Sequence, residues 1–201
     1  MKVAVNFALL LIGICISQYS HGQAVLKDSI LTDKDGNRYG VSKMADGKKW
    51  MTSNLKLKLQ NSYCYNNDTG NCEKYGRLYT WESAQRGCEM FKHGWRLPSM
   101  DEWQELTLVA GGEGKDSSEL RRLAYNSLVA GGKSNFNAQL GGGRDQNGGF
   151  ARVDAHGFYW SVTEADNSSA WYANFAKGSG ALYRQFGGEK ARAFSVRCVK
   201  D

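Results

Sequence analysis

The chain has 201 residues, 41% of them apolar, and carries 26 Lys and Arg against 20 Asp and Glu for a formal charge of +6. Its basic residues are scattered among acids in short runs such as Lys48-Lys49 and Arg121-Arg122, a solvated surface rather than a nucleic-acid groove. The length suits one domain able to bury a core, and no apolar stretch is long enough to span a membrane.

The first element is a leader. In MKVAVNFALLLIGICISQYSHGQ, Lys2 supplies a positive start, Phe7 to Ile16 an apolar segment, and Ser20 and Gly22 the small residues that precede a cut, which predicts a signal peptide over residues 1–22. Cleavage after Gly22 removes Cys15, and Ile14 before that cysteine does not fit a lipid-attachment box. With Lys2 gone the formal charge falls from +6 to +5. The expected destination is secreted, periplasmic or outer cell surface. Residues 23–31 read as a lead-in, containing Asp28-Ser29-Ile30, a short O-glycosylation acceptor pattern, and the folded domain is expected from Thr32 to Asp201.

Turns at Asp35-Gly36-Asn37 and Asp46-Gly47 bound two runs, 38–44 and 48–52, that predict a hairpin. Arg77 to Tyr79 is extended. Thr80 then caps a helix whose Trp81, Ala84, Cys88 and Phe91 fall on one face, ending at Gly94. The sole proline, Pro98, stands one residue before Ser99-Met100-Asp101-Glu102, a capping box for a helix running to about Val109. Proline there holds Leu97 extended, separates this helix from the preceding one and is placed to staple onto Trp103. Trp95, Leu97 and Trp103 are expected in the core. A third helix is expected over 117–125, with Asp116 and Glu119 as its start.

A glycine-rich region follows from Gly131 to Gly157, expected as long loops with short strands at 135–140 and 149–152. Its Gly141-Gly142-Gly143-Arg144 lacks the lysine and helix start of a phosphate loop. Four runs, 158–162, 170–175, 181–186 and 193–199, predict an antiparallel meander. Helices first and strands last make the fold α+β.

Four cysteines outlast the leader, Cys64, Cys72, Cys88 and Cys198, and allow three pairings. Local spacing favours Cys64 with Cys72, which leaves Cys88 with Cys198. Without a Cys-x-x-Cys pair, zinc is disfavoured.

Taken in order, DKDGNRYGVSKMADGKKWMTSNL, YGRLYTWESAQRGC, GWRLPSMDEWQEL, NFNAQLGGGRD, GFYWSVTE and AFSVRCVKD cover most of residues 33–201. In these pieces the chain resembles the Fibrobacter succinogenes major paralogous domain family. The resemblance implies a C-type-lectin-like fold, with two main helices, a sheet closing the N- and C-terminal strands together, and a long loop region before the final strands. It also implies a bond from a helix cysteine to one in the last strand, the places of Cys88 and Cys198. Calcium-dependent lectins carry Glu-Pro-Asn or Gln-Pro-Asp in the long loop and Trp-Asn-Asp in the next strand, whereas this chain has no proline after Pro98 and reads Trp171-Tyr172-Ala173-Asn174. No cofactor is therefore expected; for calcium, the candidates are Glu164, Asp166 and Asn167, more naturally a polar turn. Formylglycine-generating enzymes share the broad fold but use a cysteine pair for chemistry, whereas these cysteines suit structural bonds.

After the leader only His93 and His156 remain, neither in a catalytic motif, and no enzyme is expected. The expected function is a binding module for an extracellular glycan or protein, with Arg144, Asp145, Trp171, Tyr172 and Asn174 as candidate ligand contacts. Aromatic faces stack on sugar rings while guanidinium, carboxylate and amide groups bond hydroxyls. A subunit of a cell-surface assembly is the alternative.

Overall fold

A computed structural model describes residues 29–112 and 116–201. The expected signal peptide with its cut after Gly22, Cys15, and the lead-in as far as Asp28 lie outside the described residues. The elements in chain order are β1 (Ser29–Thr32), β2 (Arg38–Lys43), β3 (Lys49–Met51), β4 (Ser62–Tyr63), a 3-10 turn (Tyr65–Asn67), α1 (Thr69–Tyr75), β5 (Leu78–Tyr79), α2 (Trp81–Glu89), α3 (Met100–Gly111) and α4 (Ser118–Leu128). They continue with β6 (Gly141–Arg144), β7 (Phe150–Val153), β8 (His156–Glu164), β9 (Ser169–Ala176), β10 (Ala181–Glu189) and β11 (Val199–Lys200). The domain is α+β, as the order of patterns predicted.

Two main sheets frame it. One has the order β1-β2-β3-β11, so the N-terminal hairpin is closed by the last strand of the chain; the other has the order β10-β9-β8-β6-β7. The meander holds for β8, β9 and β10, which pair antiparallel. Its expected fourth member does not join it. Residues 193–199 instead thread between the two sheets, bridging Phe194 to Tyr79, Ser195 to Tyr159 and Val199 to Arg96 before β11 pairs with β3. All seven are buried, because a segment covered on both sides has no solvent face.

Arg197 shows what this requires. Its guanidinium is fully buried and donates to Asn54 Oδ1 at 2.7 Å, Met51 O at 2.9 Å, Phe136 O at 2.5 Å and Asn137 O at 2.6 Å. Burial lowers its pKa to about 10, opposed by Tyr159, so the charge persists at neutral pH and is met by carbonyl dipoles and by the Phe136 ring 4.7 Å away.

The capping box forms as expected: Ser99 Oγ accepts from Glu102 N–H at 3.1 Å while the Glu102 carboxylate accepts from Ser99 N–H at 2.8 Å. Burial alone would raise the Glu102 carboxyl, but hydrogen bonds from Arg96 and Ser99 and the Arg96 charge hold it below its ordinary range. Pro98 is buried, and its carbonyl accepts from Val162 N–H at 2.8 Å, fastening the entry of α3 to β8. The start of α4 differs from expectation. Ser117 is the cap, accepting from Leu120 N–H at 3.2 Å, whereas Asp116 pairs with Arg121 and Arg184.

Both disulfides are present as spacing favoured, Cys64 to Cys72 with Cα atoms 4.9 Å apart and Cys88 to Cys198 at 5.5 Å. Cys88 lies in a core with Trp81, Ala84, Trp95, Leu97, Trp160 and Phe194. A second core gathers α3 and α4 onto the sheet around Trp103, whose ring lies 5.1 Å from Trp50, 5.7 Å from Tyr159 and 5.8 Å from Phe136. Buried aromatic pairs of this kind contribute about 0.5–1.5 kcal/mol each beyond area burial.

The glycine-rich region is the least regular part. No strand forms at 135–140, where Phe136 and Ala138 enter the second core; the strand expected at 149–152 forms as β7, and the glycine run 141–144 forms a further strand, β6. Gly142 has φ +64° and pairs in parallel with Gly157 of β8. A Cβ on Gly142 would lie 2.5 Å from Ala151 O, and one on Gly157 2.5 Å from Gln139 O, so only bare backbone lets β6 sit between β7 and β8.

Candidate functional site

Side chains alternate across the β8–β9–β10 meander. Tyr159, Ala173, Phe175 and Leu182 face the helices and join the second core. Phe158, Tyr172 and Asn174 face the other way, where the β6–β7 hairpin and the start of the terminal segment stand beside them. Register brings their neighbours into line, Phe158 opposite Asn174 and Tyr172 opposite Gln185.

Together they form a concave pocket of about 270 Å³, lined by Arg144, Asp145, Arg152, His156, Phe158, Tyr172, Asn174, Gln185, Arg192 and Phe194, among others. Its floor is aromatic. Phe158 lies 5.1 Å from Phe194 and 5.9 Å from Tyr172, and the His156 ring stacks on Phe158 at 5.3 Å. Across this floor runs a polar chain in which Asn174 Nδ2 donates to Gln185 Oε1 at 2.9 Å and Asn174 Oδ1 lies 2.9 Å from His156 Nδ1. Since that Asn174 atom is an acceptor, neutral His156 carries its proton on Nδ1 and leaves Nε2 as an acceptor; this tautomer follows from the bonding network.

The rim is basic. The Arg144 guanidinium lies 4.0 Å over the Tyr63 ring and 5.8 Å from Phe150, which fixes it by cation–π contact. Tyr63 ends β4 immediately before Cys64, and Arg77 Nη1 donates to Cys64 Sγ at 3.3 Å and Cys72 Sγ at 3.4 Å, so the Cys64–Cys72 bond helps build this wall. Asp145 starts the tight β6–β7 turn, its N–H bonded to Gly149 O at 2.7 Å, and its carboxylate lies 3.3 Å from Arg192 Nε. The Tyr172 phenol is raised above its ordinary pKa by burial, against the lowering effect of the Arg192 and Arg152 charges.

Four of the five contacts nominated from sequence, Arg144, Asp145, Tyr172 and Asn174, meet in this pocket. Trp171 does not. It points to the helix side, beside Gln104, Thr107, Leu108, Leu182 and Arg184, with its ring 5.6 Å from Phe186. Glu164, Asp166 and Asn167 lie at the β8–β9 turn and build it. Asp166 Oδ1 accepts from the N–H groups of Ser168 and Ser169 and from Ser168 Oγ, while Lys190 Nζ pairs with Glu164 and donates to Asn167 O. Among the described residues no three His, Cys, Asp or Glu side chains converge as a metal group.

His156, Phe158, Arg152, Gln185 and Arg192 were missed. The first two had a signal: once Tyr172 and Asn174 are placed on one face of β9, a hairpin partner with period-2 spacing must offer two residues to the same face. Arg192 carries no such signal, because it lies outside any regular strand.

The fold and site define a disulfide-tied α+β domain with an aromatic-floored, basic-rimmed pocket. Two disulfides are the mark of a protein that matures in an oxidising, extracytoplasmic space, and among the described residues no helix is long and apolar enough to cross a membrane. Residues 37–200 match the family model described as the Fibrobacter succinogenes major domain, and the chain belongs to that family. No curated protein matches it by sequence.

Proposed function

We propose that this domain is an exported binding module that retains an extracellular glycan in the pocket between the meander and the β6–β7 hairpin. The observation that carries this reading is the pairing of an aromatic floor, Phe158, Tyr172 and Phe194, with the His156–Asn174–Gln185 chain. Apolar ring faces suit the C–H face of a sugar, and an acceptor beside an amide donor suits adjacent hydroxyls. At about 270 Å³ the pocket is at the small end for ligand sites, a size for one sugar ring. The C-type-lectin-like resemblance supports the same reading through β11 closing the N-terminal hairpin, as does the leader expected over residues 1–22. The reading assigns no catalytic group and no cofactor, calcium included.

Exported protein, applied to a glycan array, is expected to retain a glycan, and Asn174→Ala to lose it at a stability cost of about 1 kcal/mol. Failure of every glycan to bind folded protein rejects the reading.

A second reading, a subunit of a cell-surface assembly, is favoured by Phe186, 73% exposed beside Trp171 on the opposite face of the sheet. It predicts stable co-purification with a neighbouring protein, broken by Phe186→Ser.

A further inference from the structure

We infer that the pocket selects acidic sugars, the carboxylate of a uronic acid residue meeting Arg152 and Arg192 while its ring lies over Phe158 and Tyr172. This rests on the glycan-binding reading above and adds the ligand's charge to it.

The first support is the balance of charge at the rim. Among the pocket's lining residues three are arginines and one is an acid, Asp145. Arg144 and Arg152 form no ion pair with a carboxylate among the described residues, and Arg152 is exposed. Arg192 lies 3.3 Å from Asp145 Oδ1 and 3.2 Å from Glu189 Oε2, yet its Nε is buried without a directed hydrogen bond. That nitrogen is enclosed by the two carboxylates, and the donors left for a planar carboxylate are the Arg192 Nη groups, which make no hydrogen bond among the described residues.

The second support is convergence. Arg192, from the loop after β10, and Arg152, from β7, line the same pocket as Tyr172, whose hydroxyl has no hydrogen-bond partner among the described residues. Arg152 also holds φ +70°, a left-handed conformation costly for a residue with a side chain. Opposite it Gly142 carries φ +64°, so the hairpin is bent at the point where this arginine leaves it.

The third support separates a sugar acid from an acidic peptide. The Asn174–Gln185 amide pair, on β9 and β10, stands across the floor from β7 and matches ring hydroxyls, while the arginines match the carboxylate. An acidic peptide run such as polyglutamate has no ring to lay on Phe158 and Tyr172.

The test is titration calorimetry of the exported protein with oligogalacturonate and oligoalginate, each beside its carboxyl-reduced counterpart, which keeps the ring but not the charge. At least one acidic oligomer is expected to bind about tenfold or more tightly than its reduced form, a difference of about 1.4 kcal/mol. Arg152→Gln is expected to remove that preference and Arg152→Lys to keep part of it, with the fold intact by circular dichroism. Equal binding of both forms overturns the inference and leaves the glycan reading standing. Capture of polyglutamate in preference to either uronate overturns it in favour of an acidic peptide. No binding by any oligomer here or on the array overturns both.

Discussion

The two faces of the β8–β9–β10 meander use the same strands for opposite ends. On the helix side Tyr159, Ala173, Phe175 and Leu182 are closed under α3 and α4, and the aromatic rings pack on Trp103 and Phe136. On the other side Phe158, Tyr172, Asn174 and Gln185 meet a short, bent glycine hairpin and Phe194 of the terminal segment, with no helix over them, and a pocket remains. Neighbours in sequence are thereby separated in role: Trp171 leans on α3 and Phe186, whereas Tyr172 reaches the pocket. The strand pleat makes this division, and what covers each face decides whether an aromatic residue is closed into a core or lines a pocket.

The largest effect should come from breaking the frame both faces share. Replacing Cys88 and Cys198 together by alanine removes a bond spanning 110 residues, and an unfolding free-energy loss of about 4 kcal/mol is expected from denaturant titration. A loss under about 1 kcal/mol would mean that the terminal segment is held by packing alone. Next comes Phe175→Ala on the helix side, expected to cost about 3–4 kcal/mol because Trp103, Tyr125, Phe136 and Tyr159 all stand against that ring. Tyr172→Phe on the pocket side should change stability by less than about 0.5 kcal/mol, since the hydroxyl removed has no protein partner among the described residues and the ring stays on Phe194. If it destabilised the domain as much as Phe175→Ala does, the two faces would not differ as described.

Much of the framework was legible from local chemistry. The Ser99–Glu102 box, the inward face of α2 and the hairpin of β2 and β3 depend on residues within a few positions of one another, so their patterns survive in the sequence. Four pocket contacts were legible by residue type. The glycine strand β6 was not, because three glycines carry no strand propensity and form one only where neighbouring backbones crowd them. Nor was the path of residues 193–199, whose partners Tyr79, Arg96 and Tyr159 are remote in sequence.

By itself, then, the sequence determined the α+β class, the starts of α2 and α3, the family and the local disulfide, because each rests on short-range pattern or ordered motifs. Only the tertiary structure decided that Arg197 is buried against four carbonyl and amide oxygens and that Trp171 and Tyr172 part company. It also decided that Arg152, His156, Gln185 and Arg192 share one pocket. The reason is physical: hydrogen-bond partners and solvent access of a side chain are properties of which strands lie next to each other, and strand adjacency is set by long-range packing that no local window contains.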